Sequence, residues 1–161
     1  MNMSTTEQAM LTPERFLYHF QGHRQLTRQV IEAFPEEQLF TFKADSNMRT
    51  FGEIAWELHL TSQMTLSGLE SEVWNEPDWK KPADKTALLE AWDELTEQLN
   101  QRFTQIPLEQ YHKTHTLPWF PMTGLTALFY NIDNEIHHRG QGYVYLRVLG
   151  IEPPLFYQRQ M

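Results

Sequence analysis

Four stretches of this chain repeat apolar residues at helical spacing, and the stretches between them do not. From Pro13 to Phe34 the apolar positions are Phe16, Leu17, Phe20, Leu26, Val30, Ile31 and Phe34, with Thr12 placed as N-cap and Pro13 in the first turn. A second helix starts at Thr50, where Glu53 completes a capping-box pattern; Phe51, Ile54, Ala55, Leu58, Leu66 and Leu69 follow, and Gly68 lies near the end. A third spans residues 86–106, carrying Leu88, Leu89, Trp92, Leu95, Leu99, Phe103 and Ile106 on one stripe, with Asp84 just ahead and Pro107 stopping it. The fourth follows Thr123 and continues to Leu149, where Gly150, Pro153 and Pro154 form a stop signal.

The connections are long. Residues 35–49 have no sustained period. Residues 70–85 are rich in Pro and charge and hold Trp74 and Trp79, which read as hydrophobic cover over a bundle end or, less economically, as a ligand clamp. Residues 108–122 place Tyr111, His112, His115, Trp119 and Phe120 among prolines, with room for one extended piece from Thr114 to Leu117. Amphipathic helices with little strand propensity predict an all-α fold, a four-helix bundle whose long connections allow crossovers. At 161 residues and 40% hydrophobic, the expectation is a single domain over residues 1–161.

Charge narrows the chemistry. A formal net charge of -8, with 13 scattered Lys and Arg, argues against a nucleic-acid surface. No apolar run approaches the roughly 18 residues that span a bilayer, and the start of the chain lacks a signal-peptide pattern, so a cytoplasmic protein is expected. There is no cysteine, which removes thiolate ligands and a cysteine nucleophile. Glycine-rich phosphate loops and the G-x-S-x-G elbow are missing too.

Candidate chemistry concentrates in the fourth helix. At 100° per residue, Leu125, Leu128, Phe129, Ile132, Ile136 and Tyr143 share one side, while Ala127, Asn131, Asn134, His138, Gln141 and Tyr145 share the other. The second face is polar yet carries no Lys, Asp or Glu, which points to a semi-buried surface lining a cleft or meeting a partner. Asn134 and His138, four residues apart, lie roughly 5–6 Å apart at Cβ, a spacing that metal pairs use. On the second helix His59 shares a side with Ala55, Ser62 and Leu66. It is either a core histidine bonded to a carbonyl or hydroxyl, or a ligand that meets His138 and Asn134 if the two helices face each other. His137 and Gln141 would then orient the ligands. Arg139 and Arg147 fall near the apolar stripe and call for acidic partners from another helix or subunit. His19 with His23, and His112 with His115, are pairs lacking a third group.

The segments E-I-A-W-E-L-H-L, E-I-H-H-R-G-Q and Y-L-R-V-L-G-I-E-P-P together resemble the DinB-like superfamily. The resemblance covers most of the chain and is strongest over the fourth helix. It implies a bundle, often a homodimer, with a divalent metal held by one histidine of the second helix and an H-x-x-x-H pair of the fourth. Carried over position by position, these are His59, Asn134 and His138; the second departs from the pattern because Asn offers a neutral carboxamide oxygen, a poorer zinc ligand than imidazole. The resemblance further implies zinc or nickel as the metal and a low-molecular-weight thiol, or water, activated for transfer to, or hydrolysis of, a small-molecule substrate. The catalytic residues stay unassigned. The alternative is a non-catalytic binding or interaction protein with a degenerate metal site.

Overall fold

A computed structural model describes residues 11–159. Four long helices, α1 (Pro13–Ala33), α3 (Phe51–Ser71), α4 (Lys85–Arg102) and α6 (Gly124–Val148), form the body. Two short ones, α2 (Glu36–Leu39) and α5 (Leu108–His112), and an antiparallel hairpin of β1 (Thr114–Thr116) and β2 (Pro121–Thr123) fill the connections. Each long helix opens on the residue its sequence offers as a cap. Thr12 accepts from the Arg15 amide, Thr50 and Glu53 close the full capping box, Asp84 accepts from Ala87, and Thr123 accepts from Thr126. The stop after α6 forms as expected: Gly150 takes a φ of 74°, and the Ile151 amide reaches back to the Leu146 carbonyl at 2.8 Å.

Helix α3 outruns its expected end. Gly68 is not a terminator but a notch: the Trp74 ring lies where a β-carbon would stand, 2.3 Å away, so the helix continues to Ser71 under the indole. Trp74 is thereby buried as bundle cover, whereas Trp79 stays exposed. The extended piece expected at Thr114 forms as β1, and it pairs with β2 across the Pro-rich turn, a partner that no sequence pattern announces.

Around the bundle α1 packs beside α4 and α6, and α3 beside the same two, so that α1 and α3 sit diagonally. Successive long helices therefore cross the bundle twice, the crossover topology that the long connections predict.

The interior is not uniformly apolar. One cluster gathers Phe16, Phe20, Leu66, Leu99, Phe103 and Leu128; a second gathers Val30, Phe34, Phe51, Leu58, Trp92 and Leu146. Between them every long helix contributes polar side chains: His23, Arg24 and Thr27 from α1, His59 and Ser62 from α3, Thr96 from α4, and Asn131, Glu135 and Arg139 from α6. Arg24 lies against the Trp92 ring at 4.3 Å and donates to the Trp92 carbonyl. Thr27 donates to Glu135 at 2.6 Å, while Arg139 donates to Thr27 and to Nδ1 of His23. The acidic partner of Arg139 comes from its own helix and not, as expected, from another helix or subunit: it is Glu135, one turn back, at 3.9 Å. Because Arg139 donates to His23 Nδ1, the His23 proton sits on Nε2 and points to His19 Nε2, 3.2 Å away. That hydrogen bond accounts for the His19–His23 pair. His112 and His115 separate: His112 is exposed, and His115 is buried with Nε2 donating to the Gln110 carbonyl.

Candidate functional site

The neutral polar face of α6 does turn inward, as its lack of charge suggests. Asn131 and Tyr145 are buried, with Asn131 donating to Thr65 of α3 and to Ala127, and Tyr145 donating to the Arg49 carbonyl. The opposite stripe is only partly used. Leu128 and Ile132 are buried, whereas Phe129 and Ile136 lie about half exposed. The reason is the buried line Ala127, Asn131, Glu135, Arg139, Gly142, Tyr145: its polar members find partners on α1, on α3 and just ahead of α3, so the helix rotates toward them. Gly142 permits this, since Phe51 of α3 sits 2.5 Å from where its β-carbon would be.

Along the α3–α6 seam His138 turns its Nε2 toward Glu57, 3.6 Å from Oε1. The other carboxylate oxygen of Glu57 is taken by Arg49. These two contacts hold the Glu57 carboxyl down to about 2, His138 first and Arg49 second, against the burial that opposes them. Asn134 lies one turn before His138, with its amide nitrogen buried and without a partner, as is Nδ1 of His138. His59 stands two residues beyond Glu57, about 200° around the helix, and so faces away from this group. It stacks flat on Trp56 at 4.6 Å and lines a separate cleft against α4, with Glu94 and Gln98. Burial, with the charge of Arg24, lowers its pKa to about 4, so it is neutral. The trio expected from His59, Asn134 and His138 is therefore divided, and Glu57 occupies the place expected of His59. His137 is exposed and pairs with Gln141 on the outer surface at 3.3 Å.

Glu57 was legible in one respect: it is the only Asp, Glu, Lys or Arg between Glu53 and Glu70, on a helix otherwise apolar or neutral. A lone carboxylate at that position demands a partner, and α6 supplies one.

The seam opens into a cleft of about 320 Å³. Glu57 and Thr61 of α3 lie at its polar end, Tyr130 of α6 along one wall, and Trp79, Trp119 and Phe120 from the two loop-rich connections close over it. The hairpin β1–β2 projects Trp119 and Phe120 from its turn, which is why both remain about half exposed.

The model of the DinB family matches residues 1–161. The chain belongs to the DinB family. Among curated proteins, the uncharacterized protein YjoA of Bacillus subtilis (strain 168) is 24% identical over 155 residues, covering 94% of this chain and all of that protein. Among solved structures, the DinB-like YjoA from Bacillus subtilis superimposes with a TM-score of 0.73 at 21% identity, covering 91% of this chain and 99% of its own. A DinB-like protein from Bacillus cereus ATCC 10987 gives 0.69 at 21%, over 89% and 97%. These likenesses establish the bundle fold for this DinB-family chain.

A zinc or nickel ion held by imidazoles does not fit the seam. Position 134 offers a carboxamide, His59 points elsewhere, and one oxygen of the Glu57 carboxylate is already taken by the Arg49 guanidinium, so the seam falls short of the ligand set such an ion needs. Among the described residues, no three His, Asp or Glu side chains gather closely enough to hold a metal ion. No helix among them is long and apolar enough to cross a membrane.

Proposed function

We propose that this DinB-family protein is a small-molecule-binding bundle, with a degenerate metal site at the α3–α6 seam and its ligand in the adjoining aromatic cleft. The observation that carries this reading is the pairing of Glu57 with both Arg49 and His138, which occupies the groups a metal would need and leaves a polar end to an otherwise apolar, aromatic-walled cavity. Ligand sites are commonly of this build, an apolar concavity with a few convergent polar groups. The metal-dependent activation of a thiol or water that the family resemblance implies would need a set of ligands the seam does not assemble, so transferase or hydrolase chemistry is not part of this reading. A homodimer remains part of it, with the half-exposed Phe129 and Ile136 on the outer stripe of α6 as its contact; sedimentation velocity of the wild type beside Ile136→Glu tests it, a dimer lost in the variant being the expected result.

The ligand reading is tested by screening small aromatic and aliphatic fragments against ¹⁵N-labelled protein. Fragments should perturb the indole N–H signals of Trp79 and Trp119 together with the amide of Thr61. Perturbations confined to the cleft around His59, or to no cleft at all, would refute the assignment.

A further inference from the structure

The charge and the walls of the α3–α6 cleft define the class of ligand it takes; this rests on the reading of that cleft as the ligand site. Its lining contains one ionisable group at the polar end, the carboxylate of Glu57, and no Lys, Arg or His. The aromatic groups around it are Trp79, Trp119, Phe120 and Tyr130, each about half exposed although each also borders the cavity. Exposing four large aromatic rings around one concavity is costly for a protein that buries Trp74 and Trp92, and such a patch marks a binding surface. Aromatic faces carry negative electrostatic potential and attract a cation placed over them, most strongly indole. Arg49, its own side chain half exposed, engages only Oε2 of Glu57; Oε1 has the long contact with His138 alone. The net charge of -8 adds a long-range pull in the same direction.

We propose that the cleft selects an organic cation, an alkylated ammonium whose charge lies toward Glu57 and whose methyl or methylene groups rest on Trp79, Trp119 and Tyr130. A strongly hydrated inorganic cation would gain little from these rings. A neutral molecule of the same shape would gain the apolar contact but forgo the charge.

Choline and its neutral isostere 3,3-dimethylbutan-1-ol separate these cases, because they differ in the charge of one central atom. Both are titrated into the full-length protein while the Trp79 and Trp119 indole resonances are followed, in the wild type, Glu57→Gln and Trp119→Ala. The expected result is saturable binding of choline at least tenfold tighter than the isostere, an advantage that shrinks severalfold in Glu57→Gln and with added salt, and a weakening of both probes in Trp119→Ala. Trp119 lies in an exposed hairpin turn, so this second variant keeps the test valid if Glu57→Gln fails to fold. Equal affinity for the two probes in the cleft would overturn the cation preference and leave the ligand site standing. If neither probe nor any screened fragment shifts the indole signals, both readings fall.

Discussion

The bundle contains two polar groupings built from the same residue types, and they differ in what surrounds them. In the middle layer, Arg24, Thr27, Glu135 and Arg139 are sealed between two apolar clusters and mostly answer one another. At the α3–α6 seam, Glu57, Arg49 and His138 also answer one another, but they sit at the edge of an open, aromatic-walled cleft. Charge inside a helical bundle is therefore not by itself a mark of function. The sealed group fixes how α1, α4 and α6 meet, since each buried charge is tolerable only with its partner in place. The open group can exchange its contacts with solvent or with a ligand.

The comparison breaks most sharply at Glu135. Glu135→Ala leaves two buried guanidinium groups without the carboxylate whose charge both feel, and a loss of about 3–5 kcal/mol in urea denaturation is expected. A loss below about 1 kcal/mol would mean that the layer is hydrated and not sealed.

Acid sharpens it next. Burial lowers His23 to about 3, aided by the Arg139 charge, and His59 to about 4. In the unfolded chain these imidazoles titrate near 6.5, so below that pH the unfolded state binds more protons and stability falls as pH drops. Each histidine should cost about 2 kcal/mol by pH 5 relative to pH 7, read from urea midpoints at the two values. His59→Phe, which keeps the stacking on Trp56, should flatten the slope; an unchanged slope would remove His59 from the account.

Glu57 is expected to behave differently from Glu135. Its depressed pKa gives a stabilising contribution that is complete above the usual carboxylate range near 4.3 and is lost only as pH falls toward 2. Its Arg49 partner is half exposed, so Glu57→Gln should cost under about 1 kcal/mol at pH 7. Smallest of all, Trp119→Ala should leave the melting temperature within about 2 °C of wild type, because its indole is exposed at a hairpin turn. A large drop would make Trp119 a structural residue.

The sequence made the helices legible because each announces itself twice, by apolar period and by cap: Thr12, Thr50, Asp84 and Thr123 all occupy the positions they imply. The semi-buried face of α6 was legible from its lack of charge. What period could not reveal was rotation. Leu128 and Ile132 are buried in the core while Phe129 and Ile136 stay about half exposed, Phe129 reaching only the edge of Phe16, a choice made by Glu135 and Arg139 finding Thr27 and His23 on α1. The same limit applies on α3, where His59 and Glu57 are two residues apart and only the packing of α6 decides which one meets His138. Motif matching favoured the histidine; the isolated charge of Glu57 on an otherwise neutral helix is the signal it passed over. The cleft walls come from residues 79, 119, 120 and 130, brought together by two loops and a helix, and no local pattern links them.

The central claim is that the seam has become a carboxylate–guanidinium–imidazole network and no longer a resident metal centre. Titrating zinc, and then nickel, into tag-free, chelator-treated protein by calorimetry tests it most directly, with His138→Ala and Glu57→Gln alongside. The account predicts no stoichiometric binding that depends on His138. One equivalent of tightly bound metal, lost in His138→Ala, would contradict it.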